Sequence, residues 1–73
     1  PSTQLSLELG VRSDISVKIF NLKGQLVDVI AEGSYAPNAY NWTWNAENLA
    51  SGVYLVRAET AGSISTQKLM LLK

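Results

Sequence analysis

The chain predicts an antiparallel β-sandwich of six to seven short strands, and three observations carry that prediction. Apolar and polar residues alternate with period two along most of the 73 residues. Turn signals recur at a spacing of roughly ten residues, as in all-β sandwiches. No stretch carries the 3.6-residue apolar spacing of an amphipathic helix.

The elements follow in order. Leu5, Leu7 and Leu9 alternate with Ser6 and Glu8, which predicts a half-buried first strand. Residues 10–14 form a connection, after which Ile15, Val17 and Ile19 alternate with Ser16 and Lys18 in a second strand ending near Phe20. Asn21-Leu22-Lys23-Gly24 is a turn signal, with Gly24 suited to a positive φ. Residues 25–30 give a third strand, rich in β-branched residues at Val27 and Val29. Residues 32–39, with Gly33, Pro37 and Asn38, read as the least regular stretch, and Asn38 as a left-handed turn position. Tyr40, Trp42 and Trp44 share one face of a fourth strand, and residues 46–51 allow one helical turn at most. Two further strands, 53–59 and 64–72, flank an Ala61-Gly62-Ser63 turn.

Two packed sheets would turn Leu5/Leu7/Leu9, Ile15/Val17/Ile19, Tyr40/Trp42/Trp44, Tyr54/Val56/Ala58 and Leu69/Leu71 inward. Val27 and Ile30 straddle both parities, which calls for a bulge or twist in the third strand.

At this length the chain makes one domain, residues 1–73. Its hydrophobic content of 47% suits a compact core rather than a disordered segment. A core of this size supplies roughly 3–5 kcal/mol of net stability unless something staples it. There is no cysteine to provide a disulfide or a thiolate metal site, so support from a larger parent protein is expected. Six basic and six acidic residues are spread along the chain without a block of either sign. That argues against nucleic acid, which needs a basic footprint, and against an electrostatic membrane anchor. Apolar runs fall far short of the ~20 residues of a spanning helix, and no signal-peptide pattern is present. The opening Pro1, without Met, is what a C-terminal piece excised from a longer protein would show.

Nothing in the chain looks catalytic. Histidine and cysteine are absent, which excludes Ser-His and Cys-His nucleophile pairs. Glu8, Asp14, Asp28, Glu32, Glu47 and Glu59 sit singly on solvent faces or in loops, where solvated carboxylates are ordinary. There is no glycine-rich phosphate loop, and no cofactor is implied. Asn45, Glu47 and Asn48 lack the regular spacing of a calcium loop, and a polar turn accounts for them. Asn41-Trp42-Thr43 matches the glycosylation triplet but lies within a strand. The Tyr40, Trp42 and Trp44 stripe supports two readings: a platform for sugar rings, or filling for a small core, with the core favoured. The closing segment 68–73 mixes apolar and basic residues, as either an ordinary edge strand or an element read by a partner along its exposed edge.

The landmarks, taken in order, resemble the C-terminal sorting domains of the type IX secretion system. Residues 17–27, Val-Lys-Ile-Phe-Asn-Leu-Lys-Gly-Gln-Leu-Val, are similar to that family's V-x-I-Y-N-x-x-G-x-x-V segment. Trp44-Asn45 stands at the place of its Trp-Asp, and Ser51-Gly52-Val53-Tyr54 resembles its S-G-V-Y strand start. Gly62, Thr66, Lys68-Leu69 and Lys73 follow its closing G-x-x-x-T-x-K-[LM]-x-L-x-K pattern, and Pro1-Ser2-Thr3 the end of its N-P-x-N-P-S-T opening. Departures fall at turns: Gly10 where proline is frequent, Asn38 where glycine is, and Asn45-Ala46 where Asp-Gly is.

The resemblance implies an Ig-like β-sandwich related to the Ig-like domain of the flagellar hook-capping protein. It implies a non-catalytic C-terminal domain on an exported protein of a Gram-negative bacterium, in the periplasm in transit and then at the cell surface or outside the cell. The implied partners are the outer-membrane secretion machinery, a sortase-like surface protease and a catalytic or adhesin domain upstream. The expected display residues are Lys68, Leu69, Leu71 and Lys73, with Gly24, Trp44, Gly52, Val53, Tyr54 and Gly62 as structural signature positions. The alternative functions are a carbohydrate-binding accessory module using Tyr40, Trp42 and Trp44, or an Ig-like spacer stabilising a secreted hydrolase.

Overall fold

The computed structural model describes residues 2–72. Six strands run along the chain: β1 (Ser2–Leu9), β2 (Ser13–Asn21), β3 (Leu26–Tyr35), β4 (Asn38–Asn45), β5 (Gly52–Thr60) and β6 (Ser63–Leu71). They form two antiparallel sheets, one of two strands in the order β1-β4 and one of four in the order β3-β2-β5-β6. The sequence-predicted sandwich is therefore the observed architecture, in its six-strand form among the described residues.

Alternation places the core. In β2, the central strand, Ser13, Ile15, Val17 and Ile19 are buried and face the smaller sheet. Ser13 is the one polar member, and its hydroxyl donates to the Val11 carbonyl at 3.3 Å. Leu9, Trp44, Ala46, Tyr54, Val56 and Leu71 complete the buried cluster with Ala31, and every expected inward residue belongs to it or packs against it. Ile19 and Trp44, at 0% and 2% exposure, sit at its centre. Burying side chains of this size contributes about 1.5–3 kcal/mol each.

The two hairpins lie within the larger sheet, while β1–β2, β3–β4 and β4–β5 cross between sheets. In the first hairpin Asn21 N–H donates to Gln25 O, and Gly24 N–H to Asn21 O, both at 3.0 Å. Gly24 adopts φ 81°, a left-handed position that costs other residues about 1–2 kcal/mol. The Asn21 carboxamide oxygen accepts from Lys23 N–H and Gln25 N–H, which explains why asparagine opens this turn.

The pairing of β2 with β3 shifts register twice. Val17 faces Ala31 and Lys18 faces Val29, leaving Ile30 unpaired; Ile19 faces Asp28 and Phe20 faces Leu26, leaving Val27 unpaired. The two residues of mixed parity are thus the two bulged residues, which lets both half-bury at the core margin.

Two local expectations are corrected. Residues 32–35 are not irregular: they continue β3, because β2 already begins at Ser13 and offers Ser13–Ser16 as partners for Glu32–Tyr35. Asn38 is not left-handed, since positive φ occurs only at glycines among the described residues. It opens β4 opposite Leu9 in extended conformation, with its side-chain oxygen accepting from Ala39 N–H at 2.8 Å.

Candidate functional site

Among the described residues β6 is an edge strand, hydrogen-bonded only to β5, and its two faces differ in chemistry. Leu71 is buried and Leu69 half-buried, opposite Gly52 and Tyr54. The other parity carries Ile64, Thr66, Lys68 and Met70, all exposed, with Met70 at 67%; Leu72, just past the end of the strand, is 74% exposed. Across the ladder, Met70 lies opposite Val53 and Lys68 opposite Leu55, which in turn faces Phe20. The outward surface at this end is therefore apolar and continuous across three strands, with one lysine set in it. Single exposed apolar side chains are ordinary, but a contiguous group marks an interaction surface.

Farther along the same sheet the surface is charged. Lys18 Nζ lies 3.4 Å from Glu32, and Arg57 Nε 3.0 Å from Glu59. These exposed pairs contribute little to stability. Among the described residues no three acidic groups gather into a metal site, and no helix is long and apolar enough to cross a membrane.

Of the expected signature positions, Gly52, Val53 and Tyr54 pair with β6, Gly62 lies in the β5–β6 hairpin and Trp44 packs on Tyr54. Tyr54 starts the inward face of β5, and its hydroxyl donates back to the Ala50 carbonyl at 2.8 Å, the arrangement of a tyrosine corner. Gly52 and Val53 lead into it, paired with Leu71 and Met70. Trp44 packs edge-on against Tyr54 at 5.7 Å between ring centres, and its indole N–H donates to Asp28 at 3.0 Å, tying β4 to β3 across the interior. Asn45 accepts from Glu47 N–H at 3.1 Å, so it performs the turn chemistry of an aspartate at that place. Gly62, at φ 84°, closes the β5–β6 hairpin between Thr60 and Ser63.

The aromatic stripe divides. Trp44 offers no face to a ligand, being buried and hydrogen-bonded. Tyr40 and Trp42 are half-buried and stacked nearly parallel at 5.8 Å, with Tyr35 edge-on to both. The Tyr40 hydroxyl is engaged with the Ala36 carbonyl at 2.6 Å. The stripe thus serves the core along much of its length.

The four expected display residues also divide. Lys68 is exposed, Leu69 and Leu71 turn inward, and Lys73 lies outside the described residues. Sequence reasoning overlooked Met70, although period two within β6 separates the Leu69/Leu71 parity from the Lys68/Met70 parity, and it overlooked the exposed Leu72 that follows the strand. It also overlooked the Asp28–Trp44 bond, which no local pattern announces.

A family model for the secretion system C-terminal sorting domain matches residues 1–72. No curated protein and no solved structure matches the chain significantly.

Proposed function

The chain belongs to the secretion system C-terminal sorting domain family, and from that premise we propose that the outward face of β6 is the surface its secretion machinery reads. The family is non-catalytic and directs proteins through type IX secretion. The chain's role is accordingly that of an address on a secreted or cell-surface protein. The finer assignment is to Lys68, Met70 and Leu72, with Lys73 following them in sequence. Leu69 and Leu71 act from the other side, anchoring the strand so that this face keeps its position. The observation that supports the reading is the exposed apolar side chain of Met70 beside Lys68 on an edge strand, with exposed Leu72 directly after the strand. The reader would be an outer-membrane translocon component. After transport, a sortase-like surface protease would remove the domain and attach the cargo to the cell surface.

The test is a fusion of residues 1–73 to a periplasmic reporter in a bacterium with this system. Substituting Lys68→Glu, Met70→Ser and Leu72→Ser together should abolish surface delivery while the thermal melt of the isolated domain is retained. Undiminished delivery by a folded triple variant would remove β6's outward face as the recognised surface.

A further inference from the structure

The two sheets are unequal, and the mismatch leaves part of the interior uncovered. β4 lies toward β3, as the Trp44–Asp28 bond and the Tyr35–Tyr40 ring contact show. β1 therefore lies on the β5 side, and no strand of the smaller sheet stands above β6. Between the free edge of β1 and the inner face of β5–β6 is a cleft of ≈360 Å³. Leu5 and Trp42 wall it from above, and Val56, Ala58, Ser65 and Gln67 from below. Among the described residues, no charged one lines it.

The edge above this cleft lacks the usual protection. β1 pairs continuously with β4 over eight residues and has no bulge, lysine or proline along Ser2–Leu9. Its one charge is Glu8. By contrast, the β3 edge is broken by two bulges and the β6 edge carries Lys68. An unblocked edge presents a row of unpaired backbone groups, the template for strand addition. Strands pair at about 4.8 Å and sheets pack about 10 Å apart, so one strand added to β1 would stand over β6.

We propose that the free edge of β1 accepts an extended, uncharged peptide segment of a partner protein as a third strand. Alternate side chains of the segment enter the cleft above Ala58, Ser65 and Gln67. These side chains are small or apolar, because a charged one would be desolvated there without a counter-charge. A second copy of this chain does not fit the role. Docking β1 against β1 would bring the copy's own overhanging β6 into the space that the first β6 occupies. The surface is separate from the outward face of β6, so each stands or falls alone.

The probe is a capped peptide of alternating threonine and valine, about as long as β1, titrated into the folded chain and followed by amide NMR shifts. Saturable shifts are expected along β1 and at Ser65 and Gln67, and a version with proline at alternate positions should produce none. Ser65→Trp, which fills the cleft from an exposed position, should abolish them. Gln67→Arg, which adds charge without closing the cleft, should weaken them if the tryptophan variant does not fold. Absence of shifts at millimolar peptide, or shifts that persist in both variants, would overturn the proposal. So would a saturable response of the cleft to a neutral oligosaccharide with none to the peptide.

Discussion

β6 passes through both ends of the sandwich, and its inward residues change character between them. At the closed end, Leu71 is buried in the cluster that also holds Trp44 and Tyr54, and Leu69 packs against it. At the open end the same parity continues as Gln67 and Ser65, opposite Val56 and Ala58, with no strand above. Alternation alone settles which way a side chain points. Whether the inward direction is apolar depends on what the opposite sheet puts over it. The closed end holds the bonds of Trp44 to Asp28 and Tyr54 to Ala50. The open end holds neutral polar side chains beside an unpaired edge.

If the closed end carries the stability, substitutions should grade sharply between the two. Trp44→Ala should cost about 3–5 kcal/mol. That is comparable with the whole stability expected of a core this size, so circular dichroism should report an unfolded chain. A cooperative melt retained by this variant would break the comparison. Gly62→Ala, in the hairpin beyond the open end, stands outside that grading and should cost about 1–2 kcal/mol through backbone strain alone, since an added Cβ there meets nothing within 4 Å. A denaturant midpoint shift measures it. Asp28→Ala should cost about 1 kcal/mol by removing the acceptor of the Trp44 indole, and Asp28→Asn should recover most of that loss. Tyr54→Phe should cost about 0.5–1.5 kcal/mol, seen as a lower melting temperature together with faster amide exchange in the loop of residues 46–51. Gln67→Ala, at the open end, should stay within about 0.5 kcal/mol. A larger loss there would mean the cleft contributes to the fold as well as to its surface.

Much of this was legible in the residues because it depends on local spacing. Ile15, Val17 and Ile19 announce the second strand, and the mixed parity of Val27 and Ile30 announces a bulge or twist in β3, where the structure has two register shifts. Asn21 and Gly24 announce their hairpin through the conformations only they favour there. Residues 32–35 were obscured because Gly33, Ser34 and Pro37 suggest a loop, while pairing with Ser13–Ser16 overrides that preference. The face of β6 proposed as the recognised surface was half legible: Lys68 stands out as a charge, but Leu69 and Leu71 were grouped with it by proximity in sequence rather than by face.

By itself the sequence determined the class of fold, the inward faces, the turn at Gly24 and the resemblance that the family match supports. All of these rest on periodicity and on short-range backbone preferences, which act between neighbours along the chain. Only the tertiary structure decided that the strands divide two against four, that Asp28 meets Trp44 from 16 residues away, and that β1 ends the smaller sheet short of β6. Those outcomes follow from long-range pairing and from how one sheet lies over the other, which no local pattern of side chains encodes.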